Sequence, residues 1–369
     1  LLLHKGFRFY MFSLTRHLAL AVLIITSLFS SSISLAQPAG ARGDNFIYIM
    51  QEGDTLGIIA ERFTSKPGNW RKIKAYNKIS QNTTIPVGKE ILVPFKLIDT
   101  LPDEGKVIGV SGEVTINNKT IQIGSIIKEN DRIETGNNST VTFKLSNDNV
   151  IAISPNSLIY IQHLRQFCGT GLVDAIFKTE QGEFAANVES NNGGVGRFEI
   201  RTPVSITGVR GTSLRSRVDE NGHVIVELLS GKAAVASSKR PAKETIVPAN
   251  QGAVISAKGS IIKNQLPDTV SYQTELGTND LTVTLNPISN AQYYLIRFTL
   301  DEKGILELAR SQSTATINHL ELPNVNKFYV QVRAIDKKGL SGADTATLVS
   351  IPVKSESDSK AGASLPAAQ

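Results

Sequence analysis

The feature that narrows the fold most is the run-and-turn texture of residues 105–353. Short stretches rich in β-branched residues follow one another, broken by Gly, Asn and Asp. KVIGVSGEVTI, STVTFKL, NVIAI and LIYIQHL come first; LVDAIFKTEQGEFAANV, RFEIRTPVSITGVRGTSLRSRV, HVIVELLSGKAAVA and QGAVIS follow. No window between 105 and 265 carries apolar residues at a competing helical spacing. Residues 105–265 therefore read as an all-β domain, a sandwich or a short solenoid, with a hairpin at 219–223 where Asn221-Gly222 suits a type I′ turn. From 268 to 353, LTVTLNPI, QYYLIRFTLD, ATINHLEL, FYVQVRAIDKKGLSG and ATLVSIPV alternate apolar and polar residues. That is the pattern of half-buried antiparallel strands, and the spacing suits a sandwich of about seven strands. The composition agrees: Gly is frequent at 29 and aromatics are sparse at 6%. At 369 residues the chain has room for two or three domains.

Residues 47–95 read differently. FIYIM and KEILVP are short strands, and QEGDTLGIIAERF lies between them. Asp54 is suited to cap a helix, because its carboxylate can accept from the orphan N–H groups of a first turn. Leu56, Ile59, Ala60 and Phe63 then fall on one helical face. A second helix is expected near 70–76, capped by Asn69, with Trp70 and Ile73 on one face. The order is β-α-α-β. A unit this small needs nearly all of Leu56, Ile59, Phe63, Trp70, Ile73, Ile91 and Val93 in its core.

The N-terminus reads as a targeting segment over residues 1–36. Arg16 and His17 precede the apolar run LALAVLIITSLF, and Ser34-Leu35-Ala36 is a small-x-small cleavage site before Gln37. Met11 is the candidate start, and an uncleaved anchor is the alternative. Formal charge is +6, of which Lys5, Arg8 and Arg16 supply three, leaving +3 beyond the leader. That is too weak an excess to point to nucleic acid. Cys168 stands alone, so no intrachain disulfide can form, and it reads as a small, partly buried hydrophobe. The tail, 354–369, is Ser-, Ala- and charge-rich and reads as disordered.

Several motifs carry family resemblance. YIMQEGDTLGIIAERF, WRKIKAYNKIS and IPVGKEILVP resemble a LysM domain along residues 47–95. The resemblance implies binding to N-acetylglucosamine-containing glycans, chiefly peptidoglycan. By position it puts a groove between the turn 53–57 (Gly53, Asp54, Thr55, Leu56, Gly57) and the loop 79–87, with Ile79, Ile85 and Pro86. TPVSITGVRGTSLRSRVDENGHVIVELLSGKAAVA resembles the FecR domain, as does ENDRIETG, where Asn130 stands for the usual Gly; Asn149 stands at another such position. Asn tolerates a left-handed turn better than other non-Gly residues. Gly208 and Gly211 bracket Val209-Arg210, a bend that brings strands together or presents Arg210 to a partner. Founding FecR members pass a signal to a sigma factor, which needs a cytoplasmic segment; residues 1–17 are too short for one. The C-terminal region resembles a fibronectin type III domain, with Tyr294 as the middle-strand aromatic and Phe328 where a corner Tyr is usual.

Catalytic patterns are absent from the sequence. His163, His223 and His319 are scattered, and no His-Glu-x-x-His or Cys-x-x-Cys spacing occurs. Asp219-Glu220 and Asp301-Glu302 sit in turn-like sequence. The reading is a mainly β, multidomain, exported protein without enzymatic activity, metal or cofactor. It holds peptidoglycan through residues 47–95, and its β units serve as an interaction scaffold in the periplasm or envelope. The alternative is a membrane-anchored regulatory protein.

Overall fold

The computed structural model describes residues 41–42, 44–80, 85–188, 196–240 and 244–352, with Ala41, Arg42 and Arg210 described by their backbone alone. The expected leader, 1–36, and the expected tail, 354–369, lie outside the described residues. No described helix is long and apolar enough to cross a membrane. The chain is mainly β, with one small helical unit.

In that unit the strands Asn45–Ile49 and Glu90–Pro94 pair antiparallel, with Tyr48 opposite Ile91. Between them run α1 (Leu56–Thr64) and α2 (Trp70–Tyr76). The rings of Phe46, Tyr48 and Phe63 meet edge-on or tilted, at 4.9 to 6.4 Å. Leu56, Ile59, Ile73, Ile91 and Val93 complete the core. Trp70 departs from expectation. It is only half-buried, and the Arg71 guanidinium lies 4.9 Å from its ring centroid. The short α2 commits Ile73 to the core and leaves Trp70 at the edge. Asn69 makes no side-chain cap; its amide instead donates to Thr64 Oγ1 at 3.0 Å. Asn77 ties α2 to the sheet by exchanging hydrogen bonds with Leu92.

The middle unit consists of two sheets that share the strand Val173–Val188. Its first half pairs with Leu158–Phe167 and, in parallel, with Arg197–Arg201. Its second half pairs with Val150–Ile153 and Thr212–Val218 in the other sheet. Gly182 sits at the crossing with φ +86°, and a Cβ there would lie 2.5 Å from Ser157 Cα. Only a residue without a Cβ allows the strand to bend so close to its neighbour. Phe177 and Phe184 straddle the bend with centroids 5.0 Å apart, and Phe198 joins them at 5.3 Å from Phe177. One core fills the space between the sheets.

Three turns refine the expectations. Asn130 takes a left-handed φ of 70°, as its place in a Gly position suggests. In the next turn it is Asp148, at φ 67°, that turns left-handed, while Asn149 is buried. The 219–223 hairpin is not type I′. Gly222 alone is left-handed there; its N–H donates to the Asp219 carbonyl, and the Asp219 carboxylate accepts from the N–H groups of Asn221 and His223. Satisfying both N–H groups from one carboxylate favours the longer loop over the two-residue turn.

The C-terminal region is a seven-stranded sandwich. Tyr272–Leu276, Asp280–Leu285 and Ile317–Glu321 form one sheet; Glu307–Ser313, Ala291–Thr299, Lys327–Asp336 and Thr345–Ser350 form the other. The Tyr272 hydroxyl crosses the sandwich to donate to the Val330 carbonyl at 2.6 Å.

This sandwich packs directly on the middle unit. Arg215 pairs with Glu227 at 2.6 Å and donates to the carbonyls of Ser341 and Gly342. Glu227 in turn accepts from the Ser341 N–H at 2.7 Å. Four guanidinium groups surround Glu183. Burial alone would raise its pKa, but Arg333, Arg310, Arg217 and Arg215 pull it down to about 2.

Two outcomes follow from this packing. Gly182→Ala should cost at least roughly 2 kcal/mol. Gly211, at φ +61°, should cost roughly 1 kcal/mol as Ala. Gly208, where a Cβ would meet only the Ala234 carbonyl at 4.0 Å, should tolerate Ala within about 0.5 kcal/mol; urea denaturation measures all three. Because the folded pKa of Glu183 is depressed, its contribution is present above the unfolded value of 4.5 and lost as pH falls toward 2. Melting temperature should fall across that window, and more shallowly in Glu183→Gln.

Candidate functional site

The turn before α1 is built by a carboxylate that faces backwards. Asp54 does not cap the helix. Its Oδ2 accepts from the Gln51 N–H at 2.8 Å and from the Tyr48 hydroxyl at 2.5 Å. Arg62, in the last turn of α1, donates to the same Tyr48 hydroxyl at 3.1 Å. Burial and the adjacent carboxylate push the Tyr48 pKa up to about 12, so the phenol stays a donor to Asp54. The cap is Thr55, in extended conformation, whose Oγ1 accepts from the Ile58 N–H at 3.2 Å. Helix α1 starts one residue later than an Asp54 cap would require, which frees that carboxylate to close the turn. Gly53, with φ +81°, completes it.

Two backbone bonds bring the far segment alongside. The Met50 N–H donates to the Lys89 carbonyl at 3.0 Å, and the Gly88 N–H donates to the Met50 carbonyl at 2.8 Å. The turn 53–57 and the segment 85–88 are therefore held at the same end of the strand pair. Gly53, Thr55 and Pro86 are exposed; Asp54, Gly57, Ile79 and Ile85 are half-buried. Leu56 differs from the rest. Its side chain is 1% exposed and belongs to the core, so only its backbone can face a ligand. Residues 81–84 of the loop lie outside the described residues.

Two further residues belong to this surface. Ile58 is 42% and Val87 66% exposed, one beside Gly57 and the other beside Pro86. Ile58 carries a sequence signal: it is the apolar residue of α1 that falls off the core-facing spacing. The surface offers small apolar patches, a Thr hydroxyl with a hydrogen still to donate, and helix-start N–H groups. Such a set suits a neutral, hydroxyl- and amide-bearing ligand better than an ion.

The other candidates resolve into structure. His163 Nδ1 lies 3.4 Å from Asp174 Oδ2, and Arg197 grips both oxygens of that carboxylate at 2.7 Å. This is a charge-assisted clamp joining neighbouring strands. Among the described residues no group of three or more His, Cys, Asp or Glu could hold a metal. Cys168 is half-buried where the helical unit meets the middle unit, its N–H donating to the Asp99 carbonyl at 2.8 Å. Phe95 stacks there on Phe167 at 4.4 Å, and Gly169 faces the Phe63 ring.

Comparison with known proteins gives two family matches. The LysM domain model matches residues 48–94 and the FecR protein model residues 131–234. Both families are non-catalytic and typical of extracytoplasmic proteins. No curated protein matches. Two crystal structures of a candidate anti-sigma factor from Parabacteroides distasonis ATCC 8503 are similar at 18% identity and a TM-score of 0.30, covering 36% of this chain. This chain spans 59% of the length of those proteins.

Asp54→Ala should cost about 1–3 kcal/mol, because it strands the buried Tyr48 hydroxyl and the Gln51 N–H together. Thr55→Ala should cost about 1 kcal/mol through the lost cap. Chemical denaturation of the full chain, followed by Trp70 fluorescence, separates the two.

Proposed function

We propose that the protein is a non-enzymatic envelope protein that holds N-acetylglucosamine-containing glycan, chiefly peptidoglycan, through its N-terminal unit. The observation that carries this reading is the turn 53–57, with Gly53 and Thr55 exposed, fixed beside the segment 85–88 within a region that matches the LysM domain. Thr55 and the backbone N–H groups of Leu56 and Gly57 would meet the acetamide and hydroxyls. Ile58, Ile79, Ile85, Pro86 and Val87 would take the acetyl methyl and the sugar faces. Gly53 and Asp54 act by shaping the turn. We further assign a leader to 1–36, domains to 47–95, 105–265 and 268–353, and a tail to 354–369. The C-terminal sandwich is taken as fibronectin type III-like, because its sheets of three and four strands split the chain in that order. It and the FecR-like unit serve as the scaffold for an envelope partner.

A regulatory protein of the FecR kind is the second reading, favoured by the match over 131–234. The two differ in whether glycan binding exists at all.

A shallow surface buries little ligand, so one module should bind in about the micromolar to millimolar range. The full chain should co-sediment with purified peptidoglycan. A double variant, Thr55→Asn with Ile85→Asp, keeps a capping side chain and should lose most of that binding with an unchanged circular dichroism spectrum. Failure of the folded wild-type chain to sediment would sink the glycan reading and leave the regulatory one.

A further inference from the structure

The packing between the middle unit and the C-terminal sandwich is one negative charge short. Its guanidinium groups compete for few carboxylates. Glu227 is taken by Arg215 at 2.6 Å. Glu307 is shared by Arg310 and Arg297, and Asp344 is gripped by Arg297 at 3.0 Å. Arg217 and Arg333 are left with Glu183 and with what Asp344, already held by Arg297, can offer Arg333. Arg217 satisfies one N–H on the Gly339 carbonyl. Arg333 has only long contacts, 3.4 Å to Glu183 and 3.5 Å to Asp344, although its side chain is 3% exposed. Burial and the neighbouring Arg215 and Arg297 push its pKa down to about 10. A buried guanidinium so weakly paired is costly unless a further acceptor is supplied.

The space for that acceptor exists. Arg333 and Arg310 line two cavities, of about 420 and about 620 Å³, and Glu183 and Ser154 line both as well. The remaining carboxylates do not fill the deficit. Glu302 is exposed beside Lys303 on the wall of the first cavity; at the second, Asp219 pairs with His223 and Glu220 is exposed.

We propose that this interdomain cavity binds a small oxyanion, a carboxylate or phosphate group free or carried on a small molecule, with Arg333 and Arg310 as its anchors. The Arg333 guanidinium, whose Nε has no partner, matches both groups geometrically; Arg310, whose Nε and Nη2 hold Glu307, adds its remaining N–H groups and its charge, and the low-dielectric surroundings strengthen the pairing. Glu183 opposes the ligand, which limits the site to one negative charge. The bound anion bridges the two units, since Arg310 and Arg333 belong to the sandwich and Ser154 and Glu183 to the middle unit.

The test uses the full chain and two probes, inorganic phosphate and acetate, against sodium chloride at matched ionic strength. One oxyanion or both should raise the melting temperature saturably, by roughly 2–4 °C, and give heat on titration calorimetry. The arm that responds distinguishes phosphate from carboxylate recognition. Arg333→Gln should abolish the response. Should that variant not fold, Arg310→Lys keeps the charge but loses the N–H groups that Glu307 leaves free, and should weaken binding by about tenfold. Equal behaviour in oxyanion and chloride, or a response that survives loss of Arg333, would overturn the proposal.

Discussion

The shared strand Val173–Val188 is the element on which the rest of the molecule depends. Its 16 residues pass from one sheet of the middle unit into the other. A straight strand of that length would serve one sheet and leave the second with an open edge. The bend at Gly182 lets one backbone close both sheets and puts Phe177 and Phe184 into the same core. The neighbouring features follow. Glu183, one residue past the bend, points among the guanidinium groups that hold the C-terminal sandwich. Asp174, near the strand's start, receives the Arg197 clamp.

Electrostatics and packing divide the work between the two junctions. The helical unit meets the middle unit through rings and backbone: Phe95 on Phe167, Phe63 on Gly169, Asp99 bridging to Phe63 and Cys168. The sandwich meets it through ions and carbonyls, and a Cβ on Gly252 would come within 2.4 Å of Leu340 Cδ2. Breaking one partner of a buried ionic set exposes the others to an unpaid desolvation cost. The second junction is thus the more sensitive to single substitutions of charge, the first to changes of shape.

Much of this was legible in the sequence, and the failures have physical causes. Period-two alternation marks a strand and its buried face, so the β units and the order β-α-α-β could be read directly. Caps could not be placed to the residue, because Asp54 and Thr55 are both competent, and the choice turned on Tyr48, six positions upstream. Trp70 read as core since its spacing to Ile73 is right; only the shortness of α2 leaves it at the edge. The charge cluster left no trace at all. Glu183, Arg215 and Arg333 each look like an ordinary polar residue on an alternating strand, and they meet only when two sheets from distant segments pack. The surface around the turn 53–57 lay between these extremes: its motif was visible, while Ile58 had to be recognised by its place off the core-facing side of α1.

The way the helical unit is mounted has a mechanical consequence. The chain leaves Glu90–Pro94 and reaches Thr100–Pro102, which pairs with Leu158–Phe167, after only a single 3₁₀ turn. With Phe95 stacked on Phe167 and the Asp99 N–H on the Phe63 carbonyl, no slack remains. The joint is a bracket and not a tether. A load applied at the turn 53–57 would pass through strand pairing and ring stacking into the sheet that carries Asp174 and Arg197, so the molecule would transmit tension and direction from its N-terminal unit to its core.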